Sequence, residues 1–114
     1  MNTHHAIDYV EITVADVAES KAFYSAAFGW TFNDYGPDYA GIVGHDGEVG
    51  GLTRGEGSGG SPVVILYSDD LDATLKGVRA LGAIITREPY AFPGGRRFHF
   101  EDPSGNELAV WANA

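Results

Sequence analysis

The chain has 114 residues, 44% hydrophobic and 20% charged, with no cysteine and a formal charge of −9. That length fits one domain, able to bury about two-thirds of its unfolded surface unaided, and the missing cysteine excludes a disulfide framework, a thiolate zinc site and a cysteine nucleophile. Seven Lys+Arg against sixteen Asp+Glu argue against a nucleic-acid partner, while the lack of a long apolar run or signal-peptide pattern leaves the expectation of a cytoplasmic domain without a membrane partner.

Residues 7–14 alternate, with Val10, Ile12 and Val14 on one face and Tyr9, Glu11 and Thr13 on the other, the pattern of a strand covered on one side. Asp16 with Glu19 three residues on forms an Asp-led capping box. Val17, Phe23, Tyr24, Ala27 and Phe28 then follow at helical spacing, and Gly29 is placed to stop the helix. Three strands are expected next, at 30–33, 39–44 and 48–54. Residues 55–62, Gly-Glu-Gly-Ser-Gly-Gly-Ser-Pro, have the composition of a flexible linker.

Beyond the linker the plan starts again. A strand is expected at 63–68, and Asp70 opens a helix striped by Leu71, Leu75, Val78 and Leu81 and ended by Gly82. Strands at 83–87, 96–101 and 107–111 complete it. Shifting the chain from Tyr9 to Val63 superposes Tyr9-Val10-Glu11-Ile12 on Val63-Val64-Ile65-Leu66 and Asp16-Val17 on Asp70-Leu71. Repeats of this kind predict an α+β fold of two βαβββ modules, residues 6–54 and 63–112. Neither half easily buries a sheet face alone, so the two sheets are expected to share a cleft.

The chain resembles the vicinal oxygen chelate superfamily, which includes glyoxalase I, bleomycin-resistance proteins, fosfomycin-resistance enzymes and extradiol dioxygenases. The resemblance is carried by Val10-Glu11-Ile12-Thr13-Val14-Ala15-Asp16, Phe23-Tyr24, Phe28-Gly29-Trp30 and Phe100-Glu101-Asp102-Pro103-Ser104-Gly105-Asn106, and spans about residues 7–111. It implies a glyoxalase-like cleft of two curved sheets. In the superfamily's enzymes, His, Gln or Glu from the first and last strands of each module hold a divalent metal. Here those positions fall on Tyr9, Val63 and Ala109, and at or beside Gly51. Three of the four offer no side-chain ligand, so no metal and no other cofactor is expected. His4, His5 and His45 belong to the chain start and a turn, and His99 alone does not hold a metal.

If the alternation holds, the cleft collects Tyr9, Glu11, Thr13, Val63, Ile65, Tyr67, Arg97, His99 and Trp111, a mostly apolar and aromatic lining with a few polar groups. Burial disfavours a carboxylate's charge, and Arg97 and His99 are natural partners for Glu11. A Glu–Arg pair that merely fixes strand register, and plain aromatic packing of Tyr9, Tyr67 and Trp111, are the structural alternatives. Two functions follow. One is a metal-free protein that binds a small-molecule ligand, as bleomycin-resistance proteins do. The other is a glyoxalase-like lyase or isomerase with Glu11 and His99 as acid and base, with or without an atypical metal. A homodimer is expected, since two-module proteins of the superfamily often pair.

Overall fold

In a computed structural model, residues 2–55 and 62–113 are described. The elements run β1 (Ile7–Val14), α1 (Val17–Phe28), β2 (Phe32–Asp34), β3 (Tyr39–Gly44) and β4 (Gly47–Arg54). They then repeat as β5 (Val63–Tyr67), α2 (Leu71–Ala80), β6 (Ile84–Phe92), β7 (Gly95–Glu101) and β8 (Glu107–Ala112). This is the βαβββ plan twice, an α+β fold. Residues 56–61 of the expected linker lie outside the described residues. Among the described residues, one compact unit falls within Tyr9–Pro62 and a second within Met1–Asp8 and Val63–Ala114.

In the first unit the strands lie in the order β2-β3-β4-β1. β1 and β4 are parallel, with Glu11 opposite Gly51, Ile12 opposite Leu52 and Thr13 opposite Thr53. β3 runs antiparallel to β4, setting Gly41 opposite Gly51 and Tyr39 opposite Thr53. The core gathers Val14, Val17, Ala40, Ile42 and Leu52, with Ile12, Tyr24, Trp30 and Phe32 packed against it. α1 begins as expected: the Glu19 N–H donates to the Asp16 carboxylate at 2.9 Å. It ends at Gly29, whose φ of 72° a side chain would resist.

Two expectations for this unit are corrected. Phe23 and Phe28 are exposed rather than core. The apolar residues of α1 spread around the helix, so only Val17 and Tyr24 of the supposed stripe reach the sheet. The second strand starts at Phe32 instead of residue 30, because the Trp30 ring stacks on Tyr24 with centroids 4.7 Å apart.

The second unit orders its strands β5-β8-β7-β6. Its core is Leu71, Leu75, Phe98, Val110 and Ala112, flanked by Leu66, Val78, Ile85 and Phe100. That assignment turns Phe98, Phe100 and Val110 toward α2 and their alternate neighbours to the opposite face. Residues ahead of β1 belong here as well. The His5 N–H donates to the Tyr67 carbonyl at 2.7 Å, and the Trp111 indole N–H donates to Asp8 at 3.0 Å.

The turn between β7 and β8 is built on Asp102, whose carboxylate accepts from the Ser104 and Asn106 backbone N–H groups and the Asn106 side chain, each at 2.9 Å. These bonds, the Asn106 side chain's foremost, hold the Asp102 carboxyl below its usual range. The turn fixes the register that puts Arg97 opposite Trp111 and His99 opposite Ala109. β6 extends to Phe92 rather than ending at residue 87. Irregular register between Ile85 and Tyr90 accommodates Pro89, which lacks an N–H, on a strand at the end of this order. Among the described residues no helix is long and apolar enough to cross a membrane.

Candidate functional site

Ile12, Leu52 and Ala40 face the core of the first unit, so Glu11, Gly51 and Gly41 face the other way. Glu11 is 8% exposed, and Tyr39 donates its hydroxyl proton to Glu11 Oε2 at 3.1 Å. With that proton committed, the Tyr9 hydroxyl is the donor in its 2.7 Å bond to Tyr39 Oη. Burial pushes the Tyr9 phenol up to about 12, against the lowering effect of the Tyr39 bond. Tyr39 is pushed up by burial first, then by its bond to Tyr9 and the charge of Glu11. Both remain protonated donors at neutral pH.

This arrangement depends on a glycine. A methyl group on Gly51 would lie 2.0 Å from Tyr39 Oη and 2.8 Å from Tyr9 Oη. The two hydroxyls therefore fill the space a side chain at Gly51 would need. A second gap follows the same rule: the Glu48 carboxylate lies 2.3 Å from where a Gly41 side chain would begin. Glu48 accepts from Asn33 Nδ2 at 3.0 Å and from the Tyr35 hydroxyl, which that bond pushes up in pKa.

On the second unit the face opposite α2 carries two cross-strand rows. One is Ile65, Ala109, His99 and Arg87; the other is Tyr67, Trp111, Arg97 and Tyr90. His99 is 5% exposed and bonded at both ring nitrogens, Nδ1 to Glu107 Oε2 at 3.0 Å and Nε2 to Tyr90 Oη at 2.9 Å. An ionised carboxylate only accepts, so the hydrogen-bond pattern assigns the imidazole proton to Nδ1 and leaves Nε2 to accept from Tyr90. Tyr90 Oη in turn accepts from Arg97 Nε. Burial foremost, and then the Arg97 charge, lower the His99 pKa, with Glu107 acting in the opposite direction. The imidazole is neutral at pH 7. Arg87 lies over the Tyr90 ring, its Cζ 3.9 Å from the centroid. Tyr67 and Phe92 meet Trp111 edge-on, with centroids 5.2 and 6.2 Å away.

Of the residues singled out from sequence, Tyr9, Glu11 and Thr13 stand in the first unit. Val63, Ile65, Tyr67, Arg97, His99 and Trp111 stand in the second. Within them, Tyr9 joins Glu11 through Tyr39, and Arg97 joins His99 through Tyr90. The connecting residues were missed. Tyr39 and Glu107 were open to alternation, since Tyr39 is two residues from Gly41 and Glu107 two from Ala109. Tyr90 carried no such signal, because Pro89 interrupts its strand.

The four positions that the resemblance marks for metal ligands are Tyr9, Gly51, Val63 and Ala109. The registers pair Gly51 with Glu11 and Ala109 with Ile65, making Gly51 and Ala109 counterparts in the two modules. Neither has a donor atom in its side chain, nor has Val63, and the space before Gly51 is taken by the tyrosine pair. Among the described residues no three His, Asp or Glu side chains form a potential metal-holding group. The residues present do not fit a divalent metal at these positions.

Comparison with known proteins agrees with the fold. The chain is 31% identical to the anthracycline biosynthesis protein DauV of Streptomyces sp. (strain C5), in a match covering 92% of this chain and 40% of that protein. It thus spans about two-fifths of the length of that curated relative. A Mn(II)-bound glyoxalase from Novosphingobium aromaticivorans is 28% identical with a TM-score of 0.71, over 98% of this chain and 40% of the other. A methylmalonyl-CoA epimerase from Streptomyces coelicolor aligns over 98% of this chain and 99% of its own, with a TM-score of 0.73. At 19% identity that likeness is one of fold. The model of the glyoxalase/bleomycin resistance protein/dioxygenase superfamily matches residues 6–110, and the chain belongs to that superfamily.

Proposed function

We propose that the chain binds a small, partly aromatic molecule on the sheet faces turned away from its helices, without a divalent metal at the positions the superfamily's enzymes use. The observation that carries this reading is the row Tyr67, Trp111, Arg97 and Tyr90, where rings and a guanidinium stand together opposite a helix-packed core. Aromatic side chains with a few fixed polar groups are the usual lining of a small-molecule site. Tyr9, Glu11 and Thr13 of the first unit, with Val63, Ile65 and His99 of the second, are the other ligand contacts in this reading. The anthracycline named in the curated relative's description is consistent with an aromatic ligand. Pairing of two copies as a homodimer remains part of the proposal, and a monomer mass in light scattering would remove it.

A second reading has one specific observation in its favour. His99 is held by Glu107 with Nε2 directed at a hydroxyl, the arrangement of a positioned base. Under it, Glu11 and His99 are the acid–base pair of a lyase or isomerase. One set of measurements tests both. Protein purified without chelator or nickel is analysed for metal, then screened by thermal shift against an anthracycline, bleomycin and methylglyoxal. Binding of an aromatic compound by metal-free protein, without turnover, is the expected result. Stoichiometric bound metal would overturn the metal-free reading, and turnover of a bound compound would replace it with the second.

A further inference from the structure

We infer that Tyr90 is a nucleophilic hydroxyl that takes up an acyl group from activated esters, with His99 as its base and Glu107 positioning the imidazole. This goes beyond the proposed binding role and does not rest on it. Its basis is a chain of three groups in which each bond has one direction. Glu107 Oε2 accepts from His99 Nδ1 at 3.0 Å, which leaves His99 Nε2 to accept the Tyr90 hydroxyl proton at 2.9 Å. Carboxylate, imidazole and hydroxyl in this order form the relay that activates serine in Ser-His-Asp hydrolases, a constellation recognised by geometry rather than by fold. The imidazole is 5% exposed and engaged at both nitrogens. Tyr90, half-buried on β6 at the end of the strand order, is therefore the member of the chain that meets another molecule.

The phenols of the first unit have a different setting. Tyr39 donates to Glu11, Tyr9 to Tyr39, and Tyr35 to Glu48. A carboxylate is a weaker base than an imidazole, and its charge opposes a negative oxygen beside it. At Tyr90 the neighbours act the other way. Arg97 Nε donates to Tyr90 Oη, a bond that engages Nε alone, whatever the terminal nitrogens hold. The Arg87 guanidinium lies over the ring, its Cζ 3.9 Å from the centroid. Both favour the charge that develops on oxygen and ring as the proton leaves. Acyl transfer balances within these groups. The Tyr90 oxygen bonds to the ester carbonyl carbon as its proton passes to Nε2, and Glu107 stabilises the imidazolium. The bond from that carbon to the leaving oxygen then breaks, and the leaving group departs with the bonding electrons and the Nε2 proton. Water, its proton taken by the neutral imidazole, cleaves the acyl-tyrosine, and the imidazolium returns that proton to Tyr90.

The test treats the intact chain with p-nitrophenyl acetate near neutral pH, following nitrophenolate by absorbance and acetylation residue by residue by mass spectrometry. Tyr35 is the internal control, since at 59% exposed it is open to the reagent but bonded to a carboxylate. Tyr90 is expected to acetylate at least about tenfold faster than Tyr35, with a matching early release of nitrophenolate. Tyr90→Phe should abolish that early release. His99→Gln, whose amide oxygen still accepts from Tyr90 but is not a base, should slow acetylation of Tyr90 by about a hundredfold and leave Tyr35 unchanged. Thermal unfolding of both variants checks that they fold. Equal labelling of Tyr90 and Tyr35 would overturn the inference, as would no acetyl group on Tyr90, or an unchanged rate at Tyr90 in folded His99→Gln. Thermal shift with an anthracycline reads the proposed binding role separately, so either can fail while the other stands.

Discussion

The two units share one strand plan but carry opposite chemistry at equivalent places. Glu11, Gly51 and Gly41 line up across β1, β4 and β3, where the second unit has Ile65, Ala109 and His99 across β5, β8 and β7. One step along, Thr13, Thr53 and Tyr39 correspond to Tyr67, Trp111 and Arg97. The first unit's face is made of glycine gaps filled by phenols and carboxylates that bond one another. The second unit's two cross-strand rows hold no glycine and present rings, guanidinium groups and a neutral imidazole. A single backbone plan thus gives one face of carboxylates and phenols and one cationic, aromatic face. The side chains beside the gap decide which.

The largest effect that separates the units from their faces lies in the cores. Phe98 and Leu52 are both 0% exposed, one under each helix-packed face. Phe98→Ala is expected to cost about 3–5 kcal/mol and Leu52→Ala about 2–5 kcal/mol, from lost transfer energy and the cavity left behind. Urea unfolding measures both. A cost below about 1 kcal/mol for either would mean that the packing of that unit is not as described.

The glycine contrast comes next. Gly51→Ala is expected to destabilise by about 1–3 kcal/mol, because its methyl must displace both tyrosine hydroxyls. In a Tyr39→Leu background the obstruction by the Tyr39 hydroxyl is gone, so the same substitution should cost less. A double-mutant cycle with no coupling would show that the tyrosine does not occupy that gap. Smaller still are the caps, which the units share. Asp16→Ala and Asp70→Ala each remove a carboxylate that accepts from a first-turn N–H, and each should cost about 1 kcal/mol in thermal or urea unfolding.

How much of this could be read in the sequence follows from the same contrast. Alternation on 7–14 and around 96–111, the Asp caps and the Asp102 turn reported local geometry, and local geometry is what a single sequence encodes best. They placed both sheets and turned Glu11, Arg97 and His99 away from the helices. The faces were harder to read because they depend on cross-strand neighbours. Tyr39 reaches Glu11 only because Gly51 lies between them in register, and Tyr90 reaches His99 only because β6 continues past Pro89. Phe23 and Phe28 stand exposed for a related reason: helical spacing places residues on a helix, but which of them the sheet covers depends on the packing of the whole unit.

The smallest effects expected are slopes of stability with pH, and they should separate the units by sign. In the second unit, burial and Arg97 hold the His99 pKa below its ordinary 6.5. The unfolded chain then takes up a proton near 6.5 that the folded chain refuses. His99 therefore contributes fully above about 6.5, and stability falls as the pH drops from there toward the folded value. In the first unit the Tyr9 phenol is pushed from 10.0 up to about 12, chiefly by burial. The unfolded chain loses that proton first, so this contribution is complete below pH 10 and is lost as the pH rises toward 12. Thermal unfolding across pH should show both limbs. His99→Gln is expected to flatten the acid limb above the carboxylate range while leaving the alkaline one, and Tyr9→Phe to do the reverse. If both substitutions altered the same limb, the assignment of one proton-holding network to each unit would fail.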